Sequence, residues 1–462
     1  MKRNEIAIGL VLGLGAFASL LLAFIRPLAG LAFFIGIACV VVIFFKPFFG
    51  LIVYIVLLFI RPQELIPGFA RFRIVLVLAV VVLLNFLMHR VFTKTKISFM
   101  PTRQSKFMLA MLAIVPLSNL TNLRMQEAWD GFNDFFTSYI LFFLVMSMTD
   151  TFSRLRKVCW TLVVCTVALA ANGLVQHFRG VDLVGNVVLE EDGIPRIGWI
   201  SLFGDPNDFA LLMNTFLPFI LVNFFEKSLA RSRKIALVIP AVAILLAIFF
   251  TNSRGGFISL VAILGFFAYK RWGLLRGAGI GVAFVVLAFL FAPSRMGDIN
   301  PYEASAGGRV EAWITGLVLL KSRPLLGIGF HNFTEEAGIA AHSAYIQCAA
   351  DLGIIGYFTW LAMIYTSFSD LLYVEKRSTS PEYVKYAKTV QLSMIGFLGS
   401  AVFLAQAYNP ILYTLVALTC CMAMSQGLVE ERPALLSLRE SIIIAGILAM
   451  TVVFYKLLAM VY

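Results

Sequence analysis

Residues 340–365 read AAHSAYIQCAADLGIIGYFTWLAMIY. The apolar stretch after His342 is continuous and runs to about residue 368, longer than the roughly 20 residues a helix needs to cross a bilayer's hydrocarbon core. Hydrocarbon offers no water to a backbone N–H or C=O, so each must be paired inside its own helix or in a closed barrel. Barrel strands alternate apolar and polar residues and this run does not, so it reads as a helix. Comparable runs recur at roughly 5–25, 28–45, 49–60, 74–88, 106–118, 131–148, 158–175, 207–225, 235–251, 256–270, 276–292, 388–407, 411–428 and 441–460. The expected fold is therefore all-α, a polytopic transmembrane helical bundle of about 12 to 15 spans, with the runs at 49–60, 106–118 and 256–270 short of a full crossing.

Composition points the same way. Of 462 residues, 60% are hydrophobic and 13% charged, and the mean hydropathy is +0.91. A soluble chain of that length carries nearly twice the charge. The first apolar run, in MKRNEIAIGLVLGLGAFASLLLAF, is too long for a signal peptide and lacks a small-residue cleavage site, so it reads as a retained span. The six cysteines show no metal or disulfide spacing and read as packing residues.

The net charge of +12 sits in short links between the runs, which makes it a topology signal and not a nucleic-acid footprint. The basic links HRVFTKTKISFMPTRQSK, TDTFSRLRK, EKSLARSRK, KRWGLLR and EKRSTSPEYVKYAK read as cytoplasmic. NLTNLRMQEAWDGFND, residues 176–206, TNSRGG and residues 293–341 read as the opposite, outer face. Two of those outer links are long and carry Trp, Phe and Leu, which argues for ordered, functional loops. Within the second, RVEAWITGLVLLKS places Val310, Trp313, Leu317 and Leu320 on one face, an amphipathic helix lying on the bundle. The organisation expected is residues 1–105 as N-terminal spans, 106–292 as a central bundle with outer loop 176–206, 293–341 as a large extracytoplasmic loop, and 342–462 as C-terminal spans.

No Walker A lysine motif, dinucleotide glycine fingerprint, metal-spaced His/Cys/Asp cluster or nucleophile elbow occurs. No cofactor or metal is expected, and energy must come from a gradient or an activated substrate. What remains is a set of outer-face cations. Arg254, in FFTNSRGGFISL, reads either as an anchor snorkelling to the interface or as a guanidinium that forks onto phosphate oxygens, with two glycines giving close backbone approach. Arg309, in SAGGRVEAW, reads as a solvated loop residue or a second phosphate ligand, and Arg196, in GIPRIGW, is a third candidate. Asp205, Asn207 and Asp208, in GDPNDFA, read as a helix cap. His342 is either an interface residue or a general base. On a helix it would share a face with Tyr345, Ala349, Gly353 and Gly356, whose small members admit a close neighbouring helix. His331 lies nearby without a role assigned.

HSAYIQCAADLGIIG resembles the His-(Asn/Ser/Gln)-x9-Gly-x2-Gly block of the O-antigen ligase and polymerase superfamily of bacterial envelope enzymes. TNSRGGFISL is similar to that family's Ser-Arg-Gly segment, and GGRVEAWITGLVLLKSRPLLGIGFHNF to its Arg…Trp…Pro-Leu-Leu-Gly-Gly-Phe segment. The three occur in family order over about residues 250–360, and GDPNDFALLMN and YIVLLFIRPQELIP resemble its O-glycosylation ligase branch. The resemblance implies a large outer loop over a helical bundle in the bacterial inner membrane, with the active site facing the periplasm. It implies a polyprenyl diphosphate-linked glycan donor, an acceptor that is a lipid, a glycan or a protein, and a metal-independent, inverting transfer. His342 would be the base, and Arg254 and Arg309 would hold the diphosphate; Arg196 has no family counterpart to match.

Two other readings stay open. A glycan polymerase would use the same residues. A transporter or flippase for the lipid-linked glycan would place ionisable groups near mid-membrane, whereas these cluster at one face.

Overall fold

The computed structural model describes residues 42–61, 74–191, 193–200, 203–291 and 304–461, with Gly13 and Glu64. The expected span at 5–25, most of that at 28–45 and the start of the 293–341 loop lie outside the described residues. The chain divides into two compact units, Met1–Ser98 and Phe99–Tyr462. In the first, α1 (Pro47–Ile60) packs on α2 (Ile74–Phe92), and Gly50 lets the two approach, because a Cβ there would meet the Val82 side chain at 3.0 Å.

The second unit runs α3 (Arg103–Leu120), α4 (Met125–Met148), α5 (Phe152–Arg179), β1 (Leu189–Glu191), β2 (Ile194–Arg196), α6 (Pro206–Phe224), α7 (Arg231–Phe250), α8 (Arg254–Trp272), α9 (Leu274–Phe291), α10 (Ala304–Ser322), α11 (Phe333–Ala337), α12 (Ala344–Arg377), α13 (Pro381–Ala401), α14 (Pro410–Ser425) and α15 (Leu438–Val461). The architecture is all-α and multi-pass. Its two strands form one short antiparallel hairpin, with Leu189 opposite Arg196. Among the described residues seven helices are long and apolar enough to cross a membrane: α2, α4, α5, α6, α7, α12 and α15. That is fewer than the number of runs counted from sequence. The runs at 106–118, 256–270 and 388–407 do form helices, as α3, α8 and α13, but polar residues such as Gln104, Asn119, Lys270 and Lys385 dilute them.

Helix α12 is central, packed against α3, α10, α13, α14 and α15, while α7 and α15 are mostly exposed along their apolar lengths. It is not one continuous helix. Gly353 has φ 64° and breaks it. The backbone of residues 324–329 enters the break: Ile354 N–H donates to Pro324 O at 2.8 Å, and Ile328 and Gly329 N–H donate to Ala350 O and Asp351 O at 3.0 Å. A broken helix survives at membrane depth only where protein satisfies the freed groups, and here it does. Gly327 (φ 70°) and Gly353 both sit where a Cβ would strike the facing backbone. The sequence expectation of one face running from His342 through Gly356 is therefore corrected. Gly353 does not open a face to a neighbouring helix; it admits an inserted loop.

The Lys/Arg-rich links gather at one end of this unit, where Lys270 pairs with Glu375 at 3.1 Å and Lys385 approaches Glu226 at 4.0 Å. The opposite end holds the C-termini of α5 and α7, the N-termini of α6, α8 and α12, and the hairpin. The amphipathic helix expected at 310–320 is α10, which buries Val310, Trp313 and Leu320.

Candidate functional site

His342 lies just outside α12, before its N-cap Ser343, with φ 48°. A left-handed backbone costs a non-glycine residue about 1–2 kcal/mol, so neighbouring contacts must hold it. Ser343 Oγ is 2.7 Å from Tyr455 Oη of α15, and the Tyr455 ring meets Trp313 of α10 edge-on at 5.0 Å. Val310, Trp313, Ala341, Ile346 and Tyr455 belong to one buried cluster. Burying those apolar side chains docks the helix that carries Arg309 beside the segment that carries His342.

Arg254 starts α8. Ser253 caps that helix, its Oγ accepting from Gly256 N–H at 3.0 Å, and the preceding Asn252 turns the chain with φ 51°. Gly255 permits contact with Phe403, which a Cβ would meet at 3.1 Å, and Phe403 also packs on the Val310–Tyr455 cluster. Apolar packing thus links the start of α8 to α10. Arg196 is buried at the end of β2. Its Nε donates to Thr251 O at 2.9 Å, its Nη2 to Asn207 Oδ1 at 3.1 Å, and its Nη1 pairs with Glu191. Asn252 Nδ2 donates to Pro195 O at 3.0 Å, so the hairpin and the turn before Arg254 hold each other.

The charges report the same grouping. Burial, then the guanidiniums of Arg254 and Arg196, push the Arg309 pKa below its ordinary value, against the opposing carboxylates of Asp205 and Glu191. Burial, then Arg309, lowers the His342 imidazole, with Asp205 opposing. Arg196, Arg254, Arg309 and His342, from four separate chain segments, thus share one electrostatic neighbourhood. Such a constellation can hold an anion while keeping a neutral imidazole beside it.

Sequence reasoning left Asp205 and Glu191 without a role in the charges here. Asp205 does cap α6, its Oδ1 accepting from Asn207 N–H at 2.6 Å. It also faces both Arg309 and His342. One helical turn on, Asp208 Oδ1 is buried without a partner among the described residues. Nothing local in the sequence marked these two aspartates, because an aspartate at the N-cap and another in the first turn are what a helix start favours anyway. His331 lies apart, its backbone N–H donating to Asp351 Oδ2 at 3.3 Å and its ring against Phe330 and Tyr408.

Residues 239–361 match the family model described as O-Antigen ligase. They include Arg254, Arg309 and His342, while Arg196 lies before the match. No curated protein matches the chain.

Proposed function

We propose, from the match of residues 239–361 to the O-antigen ligase family model, a membrane glycan ligase that moves a saccharide from a polyprenyl diphosphate carrier to an acceptor hydroxyl. The observation that carries the reading is the packing of Val310 with Ala341 in one buried cluster, with Phe403 tying the start of α8 to it, which gathers the segments of Arg309, His342 and Arg254. A diphosphate leaving group gains charge as its bond to the anomeric carbon breaks. Guanidiniums already aimed at it stabilise that charge most in the transition state, each donor contributing about 3 kcal/mol.

His342 Nε2 or Nδ1 takes the acceptor's hydroxyl proton. The acceptor oxygen forms the new bond to the anomeric carbon, and the electron pair of the broken bond leaves with the diphosphate. Attack opposite the leaving group inverts the centre. Arg309 favours the neutral, proton-accepting form of His342, and base assistance contributes about 10²–10⁴-fold. Arg254 and Arg309 take the part that a divalent ion plays elsewhere, and Arg196 supports them through the field they share. The basic links at the far end of the bundle support a cytoplasmic position for that end, and with it a site at the outer face of the inner membrane.

The test is reconstitution with a polyprenyl diphosphate-linked glycan and a panel of lipid, glycan and protein acceptors. Capture of the glycan by a second acceptor supports the ligase. Lengthening of the chain on the carrier identifies a polymerase, and movement of the donor across the bilayer without bond exchange identifies a flippase.

A further inference from the structure

The end of α5 carries an exposed apolar surface that the transfer chemistry does not use. Val164, Ala171 and Phe178 recur every seven residues along α5, and all three are exposed. On α7, Ile235, Ile239, Val242, Leu246 and Phe249 are exposed at alternating spacings of four and three. Both patterns are single helical faces on segments long and apolar enough to cross a membrane. The ends of the two helices meet beside these faces: the His177 ring stacks on Phe250 at 3.7 Å, and Phe178 meets Phe250 at 5.8 Å.

Beyond that junction the chain stays apolar and exposed. Phe178 is 73% exposed, Val181 40%, Leu183 69%, Val184 49%, Val187 66% and Leu189 47%. The loop is built, not slack. Buried Asp182 accepts from Val184 N–H at 2.9 Å and Asn186 N–H at 2.8 Å through Oδ1, and from Asn172 Nδ2 at 3.1 Å through Oδ2. Val188 N–H closes onto Gly180 O at 2.9 Å. A polar hub turned inward holds the apolar side chains outward. A contiguous apolar patch on an ordered loop marks a surface meant to be covered. Its continuity with the apolar stripes of α5 and α7 says by what.

We propose that residues 178–189 form a fixed wedge immersed in the bilayer leaflet at the site's end, with lipid acyl chains as the occupant. Arg179, exposed at its foot, reaches the phosphate level. The hairpin hangs from the wedge, and Leu189 is the direct cross-strand partner of Arg196. The membrane thereby fixes the height of Arg196, and of the charges grouped with it, relative to the lipid headgroups.

The test places an environment-sensitive fluorophore at Val184→Cys or, separately, Leu183→Cys in the full chain, with Cys39→Ser and the described cysteines left buried. Glu190→Cys is the control on the same hairpin. In nanodiscs containing lipids spin-labelled near the glycerol, the fluorophore at 184 or 183 should be blue-shifted and quenched at least threefold more than at 190. Quenching by aqueous iodide equal to that at 190, without lipid quenching, overturns the proposal in favour of a water-exposed loop. Protection from both quenchers overturns it in favour of a protein partner. The readout needs neither donor nor acceptor and can be repeated in His342→Ala protein, so its failure is separable from failure of the ligase reading.

Discussion

At the end of the bundle where α3 and α15 begin, two arginines meet two carboxylates. Arg103 donates to Asp370 Oδ1 at 2.6 Å and to Glu440 Oε1 at 2.8 Å, Arg432 donates to Asp370 Oδ1 at 2.8 Å, and Gln104 Nε2 donates to Asp370 Oδ2 at 2.6 Å. At the other end Arg309 is half-buried within reach of Arg254 and Arg196, whose charges act on it ahead of those of Asp205 and Glu191. Both ends take guanidiniums out of water. The first is balanced by folding itself. The second gathers like charge, which Asp205 and Glu191 oppose without cancelling at Arg309, the balance that the proposed diphosphate would complete. Complete pairing is what a structural cluster requires, and the unbalanced end is the one proposed to bind the donor.

Four measurements break or sharpen that contrast. The largest effect belongs to His342→Ala, which should lower transfer by about 10²–10⁴-fold while donor binding persists; turnover like that of the unaltered protein removes the base role. Next, Arg103→Ala should destabilise the fold by about 3–5 kcal/mol, because Asp370 and Glu440 lose their buried partner. Thermal unfolding in detergent reads this, and Arg309→Ala in the same assay should cost nothing; equal losses would erase the distinction between the two ends. Arg254→Lys should then cut transfer about 10²-fold, since an ammonium cannot fork onto two phosphate oxygens. An unchanged rate and donor affinity would return Arg254 to an interfacial anchor.

The smallest effect is on pH. Transfer needs neutral His342, so the rate falls as pH drops through its pKa, which burial and Arg309 hold below 6.5. Arg309→Ala removes a cation that lowers that pKa, so the acid limb should move to higher pH. Asp205→Asn removes the carboxylate that raises it, so the limb should move lower. Rate profiles between about pH 4.5 and 7.5 check both directions; a limb indifferent to both substitutions dissociates it from His342.

Much of this was legible along the chain. The amphipathic pattern of Val310, Trp313, Leu317 and Leu320 is local, and α10 follows it. The hairpin at 189–196 was not legible, because three-residue strands are set by what Arg196 and Asn252 bind and not by propensity. The break at Gly353 was hidden for a related reason. A glycine in an apolar run reads equally well as a small residue in a helix contact, and only the inserted Pro324–Gly329 backbone distinguishes the two. Asp205 looked sufficient as a cap and is one; its second position, facing His342 and Arg309, depends on α12 and α10 arriving from elsewhere.

By itself the sequence determined that the chain is a multi-pass helical bundle and which cations lie in links at its ends, because hydrophobic run length and residue type act locally. Only the tertiary structure decided that Arg196, Arg254, Arg309 and His342 share one field while Arg103 and Arg432 are neutralised. Electrostatic balance depends on distances between segments remote in the chain, and packing alone sets those distances.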